Sequence, residues 1–243
     1  MRIALIADIH ANLVSFEAVL ADIDRANVEQ VVCLGDVAAT GPQPRETLAR
    51  LKKLGCPVVQ GNADAWLLDP QPPVDAEGEA RTIAEISAWC AAQLEPEDLT
   101  YIRTFRPTLE LPLPDGGSLL CFHGSVGSYD DIIVATTPEE ELDRLLAGAH
   151  ATIMAGGHTH VPMLRRHKDT LLLNPGSVGM PFEVVARSGR VRNPPWAEYG
   201  VIDTSAGSVS VEFRRVTVDV HAIAEAIFGS GMPHADVLAQ DWG

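Results

Sequence analysis

The fold is decided by residues 1–13, which read MRIALIADIHANL. The apolar run at 3–7 predicts a short buried strand. Asn12 then offers a side-chain cap to a helix, because apolar residues recur after it at helical spacing. Those apolar residues are Leu13, Phe16, Val19, Leu20 and Ile23. Asp8 and His10 are therefore expected in the turn between the strand and the helix.

The chain continues with the same alternation up to residue 60. A second strand is predicted at 31–34, a second helix at 44–54 and a third strand at 58–60. This order is typical of βαβ units, in which parallel strands form a sheet and helices cover it.

The pattern changes after Asp64. Prolines at 70, 72 and 73 interrupt the chain. Helices are then predicted at 79–94 and from Pro96 to about residue 105, with Pro96 in the first turn, where proline is well tolerated. We expect one domain over 1–243 that carries a small helical cap insertion at about 65–106.

Strands dominate the rest of the chain. They are predicted at 109–113, 118–122, 152–155, 163–166, 171–173, 199–203 and 209–216. Helices at 138–146 and 220–228 interrupt them, and 185–195 is a basic loop that contains Gly and Pro. The whole pattern predicts an α/β protein.

The composition is that of an ordinary globular protein with an excess of acidic residues. Hydrophobic residues make up 46% of the chain, and 33 Asp and Glu against 18 Lys and Arg give a formal net charge of −15. Such a field repels polynucleotides and anionic membranes at long range. We expect neither as a partner, although a small nucleotide stays open because a bound metal ion reverses the local charge.

The cysteines indicate a reducing compartment. Each lies in an apolar run, and no Cys-x-x-Cys pair occurs. They are Cys33, Cys56, Cys90 and Cys121. We interpret them as reduced core thiols. No run approaches the roughly 20 apolar residues of a membrane span, so the expected location is the cytoplasm.

Metal-capable side chains follow five of the predicted strands. They are Asp8, His10, Asp36, Asn62, His123, His158 and His160. Sites assemble at the carboxyl ends of strands in an open α/β sheet, so these distant residues can converge. The mixed oxygen and nitrogen donors suit Mn, Fe, Zn or Ni better than Ca or Mg. Seven ligands suit two octahedral ions, which at roughly 3.5–4 Å apart can clamp the attacking and leaving oxygens of a displacement at phosphorus.

The order of these motifs resembles that of the calcineurin-like metallophosphoesterase family. The segments that carry the resemblance are Asp8-Ile9-His10, Gly35-Asp36, Gly61-Asn62, His123-Gly124 and Gly157-His158-Thr159-His160. The opening at 8–13 and the sequence NPGSVG at 174–179 look like the small prokaryotic phosphodiesterase-like branch of that family. The resemblance implies a four-layer α/β-β-α sandwich with a small helical cap insertion.

The resemblance also implies a role for each ligand. One metal ion would be held by Asp8, His10 and His160, and the second by Asn62, His123 and His158. Asp36 would bridge both, together with a hydroxide that acts as the nucleophile and whose pKa the metals lower towards neutrality. Asp36, Asn62 and His123 are thus the expected catalytic residues. Two divalent ions are expected as cofactors, with Mn²⁺ favoured.

Ala63 departs from the family pattern. The family often has His after the Asn, where this chain reads Gly61-Asn62-Ala63-Asp64. That His is assigned to transition-state stabilisation or to protonation of the leaving group, and positioned acid catalysis is worth roughly 10²–10⁴-fold. Related small phosphodiesterases also lack it, so we expect an active site. The loss favours a phosphodiester over a phosphomonoester as substrate.

Three further residues are candidates for substrate binding. Asn12 is first a helix cap and second a phosphate contact. Asn174 and Ser177 lie in the 174–179 turn, which in the family is near the pocket, so they either support metal ligands or touch the substrate. The aromatic residues of the insertion are expected in the core of the cap, with stacking on a nucleotide base as the alternative. They are Trp66, Trp89 and Tyr101.

The pocket entrance differs from the family as well. The branch often continues the 174–179 turn with Pro-Arg, but here Pro181 is followed by Phe182. Arg187, Arg190 or Arg192 could replace that arginine, or they form a solvated loop.

The expected partner is a small phosphate ester, and a homo-oligomer is open too. Cyclic nucleotides, dinucleoside polyphosphates and phosphoproteins all stay open as substrates. Two other functions remain. A non-catalytic interaction scaffold needs no intact ligand set, whereas this chain keeps all seven residues. A metal-bound ligand sensor with slow turnover is favoured only by Ala63.

Overall fold

The computed structural model describes residues 1–71, 77–114, 116–184, 191–205 and 208–242. Its strands are β1 (Arg2–Ile6), β2 (Gln30–Cys33), β3 (Leu109–Pro112), β4 (Ser118–Cys121), β5 (Ile153–Ala155), β6 (Met163–His167), β7 (Thr170–Asn174), β8 (Glu183–Val184), β9 (Val191–Arg192), β10 (Trp196–Asp203) and β11 (Ser210–Thr217). Its helices are α1 (Leu13–Arg25), α2 (Pro44–Leu54), α3 (Asn62–Leu68), α4 (Gly78–Gln93), α5 (Pro96–Ile102), α6 (Glu139–Leu145), α7 (Val220–Gly229) and α8 (Ala235–Gln240).

The strands form two large sheets and one small ribbon. The first sheet has the order β11-β10-β1-β2, the second has the order β3-β4-β5-β7-β6, and β8 pairs with β9. In the first sheet β1 is parallel to β2 and antiparallel to β10. In the second sheet β4, β5 and β7 are parallel, with antiparallel neighbours at the edges. Parallel strands present their carboxyl ends at one edge, where sites form in such sheets.

Alternation of side chains along the strands divides the core into layers. On β1, Ile3 and Leu5 pack between the two sheets, while Ala4 and Ile6 pack against the helices on the other face. On β5, Met154 lies in a third cluster that includes the buried side of α6. Successive residues of a strand point to opposite faces, so each sheet is covered on both sides. The layers are therefore helix, sheet, sheet and helix, and the predicted four-layer α/β-β-α sandwich is confirmed.

Helices α3, α4 and α5 lie between α2 and β3 in the sequence, and together we call them the cap. The cap is tied to the loop after β2. The hydroxyl oxygens of Ser87 and Thr40 lie 3.2 Å apart, and the Cys90 thiol donates to the Gly41 carbonyl at 3.3 Å. The three aromatic residues predicted for the interior of the cap pack partly buried against the large core cluster. They are Trp66, Trp89 and Tyr101.

Several elements differ from the sequence-based expectation. Residues 58–60 form isolated bridges rather than a strand, because Val58 pairs with Cys33 and Val59 with Arg106. Helices α3 and α8 are too short, at 7 and 6 residues, to give a clear helical period. Residues 191–192 of the predicted basic loop form β9. Positions 185–190 of that loop, like the predicted breakers at 72 and 73, lie outside the described residues.

The cysteines are free thiols, and three of them are buried. The buried ones are Cys33, Cys90 and Cys121, whereas Cys56 is partly buried. Burial raises the pKa of Cys121 to about 12, so this thiol stays protonated and unreactive. In the described ranges, no helix combines the length and the apolar character that crossing a membrane requires.

Candidate metal centre

The predicted ligands converge in loops that follow β1, β2, β4 and β5. Six of them form two groups, and within each group the ligand atoms lie within 4.8 Å of one another. The groups are Asp8, His10 and His160, and Asp36, His123 and His158. Each group takes ligands from both sheets, because β1 and β2 belong to the first sheet and β4 and β5 to the second. The seventh residue, Asn62, begins α3 and faces the second group.

Five of the seven predicted ligands have left-handed backbone conformations. Their φ angles are 56° at Asp8, 46° at His10, 55° at Asp36, 69° at His158 and 57° at His160. This conformation costs a non-glycine residue about 1–2 kcal/mol, and its clustering is typical of functional sites. Hydrogen bonds between loops enforce it. The Asp8 N–H donates to the Gly35 carbonyl at 2.9 Å, and the His10 N–H donates to the Asp36 carbonyl at 3.0 Å.

Two glycines allow the ligand loops to approach closely. A Cβ atom on Gly61 would lie 2.0 Å from Asp36 Oδ1, and a Cβ atom on Gly35 would lie 2.6 Å from the Gly61 nitrogen. Gly35 also has a φ of 101°, which glycine adopts at little cost. A larger residue at either position would push the loops that carry Asp36 and Asn62 apart.

His10 and His160 face each other through their Nε2 atoms, which lie 3.0 Å apart. Their other ring nitrogens are anchored. His10 Nδ1 lies 3.2 Å from the Ala39 carbonyl, and His160 Nδ1 lies 2.7 Å from the Met180 carbonyl. A carbonyl oxygen only accepts, so each Nδ1 carries a hydrogen, and in neutral rings the two Nε2 lone pairs point at each other. This arrangement requires a cation, either a proton or a metal ion.

The second group is arranged in the same way. His123 Nδ1 donates to the Leu34 carbonyl at 2.7 Å, and its Nε2 faces Asn62 Oδ1 at 3.0 Å and Asp36 Oδ2 at 3.4 Å. Asn62 Oδ1 also lies 3.1 Å from His158 Nδ1. Imidazoles that bind metals generally donate their second N–H to a carbonyl or carboxylate, which fixes the ring. The donor set and its anchoring therefore fit divalent metal ions.

Burial and two carboxylates determine where protons bind in the centre. Burial lowers the pKa of His10, and the neighbouring His160 ring lowers it further. At His160 burial is outweighed by the Asp8 carboxylate, which raises the pKa of that ring. At His123 burial is likewise outweighed by Asp36, which raises the pKa to about 10. Without metal, the second group therefore holds a proton on His123, and the first group favours a proton on His160 over one on His10.

Asp64 organises the centre although sequence reasoning gave it no role. Its Oδ2 accepts the N–H groups of Asp36 at 2.8 Å and Gly61 at 3.0 Å, and its Oδ1 accepts the Val37 N–H at 2.9 Å. The side chain is fully buried. Burial and the nearby Asp36 charge raise the pKa of Asp64 to about 7. An acidic residue three positions after the residue that precedes a helix is the signal of a capping box, and Gly61 and Asp64 have that spacing.

Asn174 and Ser177 contact the backbone of ligand-bearing loops. Asn174 Nδ2 donates to the Gly157 carbonyl and the Thr159 hydroxyl. Ser177 Oγ donates to the Asp8 carbonyl at 2.8 Å. Both side chains are buried and stand behind the described wall of the cleft. Their direct contact with a substrate stays a prediction.

Asn12 caps α1, as the sequence indicates. Its Oδ1 accepts the Ser15 N–H at 3.0 Å, and its Nδ2 donates to the Gly179 carbonyl at 3.1 Å. The side chain thus joins α1 to the 174–179 turn. A phosphate contact through Asn12 stays a prediction.

A cleft of about 660 Å³ lies between the centre and the cap. Predicted ligands form its floor, side chains of α3 and α4 cover it, and Arg and Lys are absent from the part of the lining that the structure describes. Of the three arginines considered for the entrance, Arg192 donates to Glu183 Oε2 at 2.8 Å. Arg187 and Arg190 lie outside the described residues.

The two-sheet sandwich and the cluster of His and Asp at its strand ends define the metallophosphoesterase class. Residues 1–205 match the calcineurin-like phosphoesterase superfamily domain. The chain belongs to this superfamily.

Two solved structures and one further sequence match this chain over nearly its whole length and theirs. A crystal structure of a metallophosphoesterase from Sphaerobacter thermophilus is 25% identical, with a TM-score of 0.77 over 99% of this chain and 97% of that one. The hypothetical protein PH1004 from Pyrococcus horikoshii OT3 is 19% identical, with a TM-score of 0.81 over 98% and 97%. The uncharacterized protein MJ0912 of Methanocaldococcus jannaschii is 26% identical over 95% of this chain and 93% of its own. The similarity to the small prokaryotic type is confirmed.

Replacing Asp64 tests its structural role. Asp64→Asn puts an amide N–H against a backbone N–H and leaves a buried donor without a partner, so the free energy of unfolding should fall by about 1–3 kcal/mol. Urea unfolding of metal-free protein measures this. Asp24→Asn, at an exposed position of α1, is the control and should change the value by less than about 0.5 kcal/mol. Equal stability of the two variants would contradict the assignment.

Metal binding at pH 7 should release protons, because a pKa of about 10 keeps the His123 ring protonated until metal displaces its proton, and the raised pKa of His160 adds to the release from the first group. The affinity should weaken as the pH falls. Calorimetric titration of Mn²⁺ into chelator-stripped protein, in two buffers of different ionisation enthalpy, counts the protons. His160→Ala should lower the count, and His221→Ala, whose side chain is 80% exposed, should not. Identical apparent enthalpies in both buffers would show the interpretation to be wrong.

Proposed function

We propose that this protein is a dinuclear-metal-dependent phosphoesterase that hydrolyses a phosphodiester in preference to a phosphomonoester. One observation carries the proposal. The Nε2 atoms of His10 and His160 meet at 3.0 Å with both Nδ1 atoms anchored to carbonyls, an arrangement that only a cation satisfies. The second group of ligands beside it repeats the pattern, which supports a pair of ions.

Asp36 is the proposed bridge between the two ions. Its Oδ2 lies 3.8 Å from His10 Nε2 in the first group and 3.4 Å from His123 Nε2 in the second. Its Oδ1 accepts the Ala63 N–H at 2.9 Å, which fixes the carboxylate between the groups. Asn62 and His123 complete the second group and are, with Asp36, the proposed catalytic residues.

When bound, two divalent ions would supply an acidified water as nucleophile and neutralise charge on the phosphate. We favour Mn²⁺ because the mixed oxygen and nitrogen donors suit a borderline ion. Two aspartates offset two of the four charges of such a pair. The floor of the cleft therefore attracts an anion although the chain as a whole carries a net charge of −15.

Ala63 supports the preference for a diester. It lines the cleft next to Asn62, and its methyl group cannot protonate a leaving oxygen. A monoester carries one more negative charge than a diester, and the described lining offers no Arg or Lys to balance that charge. Both observations favour a monoanionic ester with a good leaving group.

The residues around the ligands keep them in place. We propose that Ser177 positions the Asp8 backbone and that Asn174 positions the 157–160 loop, as supports of metal ligands. Asn12 would act in the same way through the Gly179 carbonyl.

Hydrolysis of bis-p-nitrophenyl phosphate beside p-nitrophenyl phosphate tests the function. Chelator-stripped protein should show diester turnover after addition of Mn²⁺, Ni²⁺, Zn²⁺ or Mg²⁺, with Mn²⁺ among the best. Asp36→Ala should lower turnover by at least about 10³-fold, because the bridge is lost. An absence of turnover with every metal, despite two ions bound per chain, would contradict the proposal and favour a ligand sensor or an interaction scaffold.

The dependence on the leaving group tests the role of Ala63. Across aryl diesters, the rate of the wild-type protein should fall steeply as the pKa of the leaving phenol rises. Ala63→His should flatten this dependence and accelerate the poorest leaving group by up to about 10²-fold, because a positioned acid is restored. Ala65→His places the same ring elsewhere on the cleft wall and controls for position. A shallow dependence in the wild-type protein would mean that another group already protonates the leaving oxygen.

A further inference from the structure

The cap presents an uncovered apolar helix face to the metal centre. Ala80, Ile83, Ala84 and Ser87 of α4 line the cleft, and their spacing places them on one side of the helix. Such a face normally packs in a core, yet Ala80 is exposed and Ile83 keeps 43% of its surface exposed. Ser87, at the inner end of this face, is buried against Thr40, and the small side chains leave the cleft open between the helix and the floor.

Three aromatic rings surround this space. Phe182 stacks on the ring of His160, with centroids 4.8 Å apart and planes tilted by 22°. Trp66 lies four residues after Asn62 on α3, so the two side chains are neighbours on one helix face. The Tyr129 hydroxyl donates to Gln60 Oε1 at 3.1 Å, which fixes that ring as well. Flat apolar walls of this kind favour a flat apolar ligand group.

The charges of the cleft are segregated. The floor carries the predicted metal ligands, whereas the rest of the described lining has Asp130 as its charged side chain and offers no Lys or Arg. An additional phosphate or carboxylate of the substrate under the cap would be removed from water without a partner, which is unfavourable. An uncharged apolar group would not incur this penalty.

We propose that the cleft selects phosphodiesters whose second substituent, the one that is not the leaving group, places an uncharged aromatic ring, such as an aryl group or a nucleobase, between the cap and the metal centre. This inference rests on the proposed function and names its substrate class. It ranks two other substrate classes below diesters with an uncharged aromatic group. Dinucleoside polyphosphates would bring extra charge into the cleft of about 660 Å³, and phosphoproteins would bring a large polypeptide.

Three diesters with one common leaving group test the proposal. They are the p-nitrophenyl esters of methyl phosphate, phenyl phosphate and 4-carboxyphenyl phosphate. In each case water adds to phosphorus and p-nitrophenolate leaves, so only the second substituent differs. The kcat/KM of the phenyl ester should exceed that of the methyl ester by about tenfold or more, since a buried ring gains that much from apolar contact. The carboxylate should cancel most of this gain.

Variants of the cap locate the effect. Ile83→Asp changes an exposed side chain, so the protein should fold, and it should reduce the preference for phenyl over methyl to about threefold or less. Val237→Asp is the matched control, because Val237 lies on α8 and is 45% exposed, and it should leave the preference unchanged. Trp66→Ala should also reduce the preference. Circular dichroism would verify its fold, since Trp66 packs against the core.

Binding of inert diesters separates this inference from the proposed function. Calorimetry should show diphenyl phosphate binding to the Mn²⁺-loaded protein about tenfold more tightly than dimethyl phosphate, whether or not the protein turns over any ester. Equal binding of both, or equal kcat/KM for the phenyl and methyl esters, would overturn the inference while the hydrolase stands. Selective binding without turnover of any diester would refute the hydrolase while the aromatic subsite stands.

Discussion

The structure depends on one electrostatic constraint, the burial of electron-rich donor atoms that face one another and need a proton or a metal ion between them. His10 and His160 are the clearest case, since each ring is anchored at Nδ1 and both present Nε2 inward. A buried arrangement of this kind is unfavourable unless positive charge arrives. The left-handed ligand residues, the close glycine contacts and the hydrogen bonds of Asp64 all serve to maintain it. The backbone strain of the left-handed ligand residues persists only because the surrounding hydrogen bonds and packing leave these residues no other conformation.

Much of the fold and most of the ligand set could be predicted from the sequence. Apolar runs mark β1, β2, β4 and β5, and each is followed by a residue type that binds metals, so the periodic pattern and the chemical pattern support each other. Helix α2 has the predicted bounds, 44–54. Asp64 was missed because its importance comes from two loops, after β2 and before α3, that meet only in the folded chain. The cap was predicted as a helical insertion, but the residues of α4 that face the cleft were not, since the docking of the insertion depends on distant contacts.

The metal centre and the cap come from different parts of the chain and have different proposed roles. In the proposed function, the loops at the strand ends supply the chemistry, and they lie within residues 1–205, which match the superfamily. The cap would then determine what lies next to the phosphate. Ala63 belongs to both, because its N–H fixes Asp36 while its methyl group faces the cleft. A substitution other than proline would keep this N–H and change only the side chain that faces the cleft.

Each ligand group draws side chains from both sheets, so a bound ion is also a clamp across the sandwich. Away from these loops, the strands of the two sheets pack through apolar side chains, which impose no direction and permit small sliding movements. Ions bound at one edge would hold the two sheets together there and confine transient opening of the sandwich to the opposite edge. Loss of metal would allow the first edge to open as well. Backbone amides at the carboxyl ends of β1 and β5 would then exchange with solvent deuterium faster than amides near the starts of these strands. The availability of metal would then determine how readily the two sheets separate at this edge, as well as the chemistry of the site.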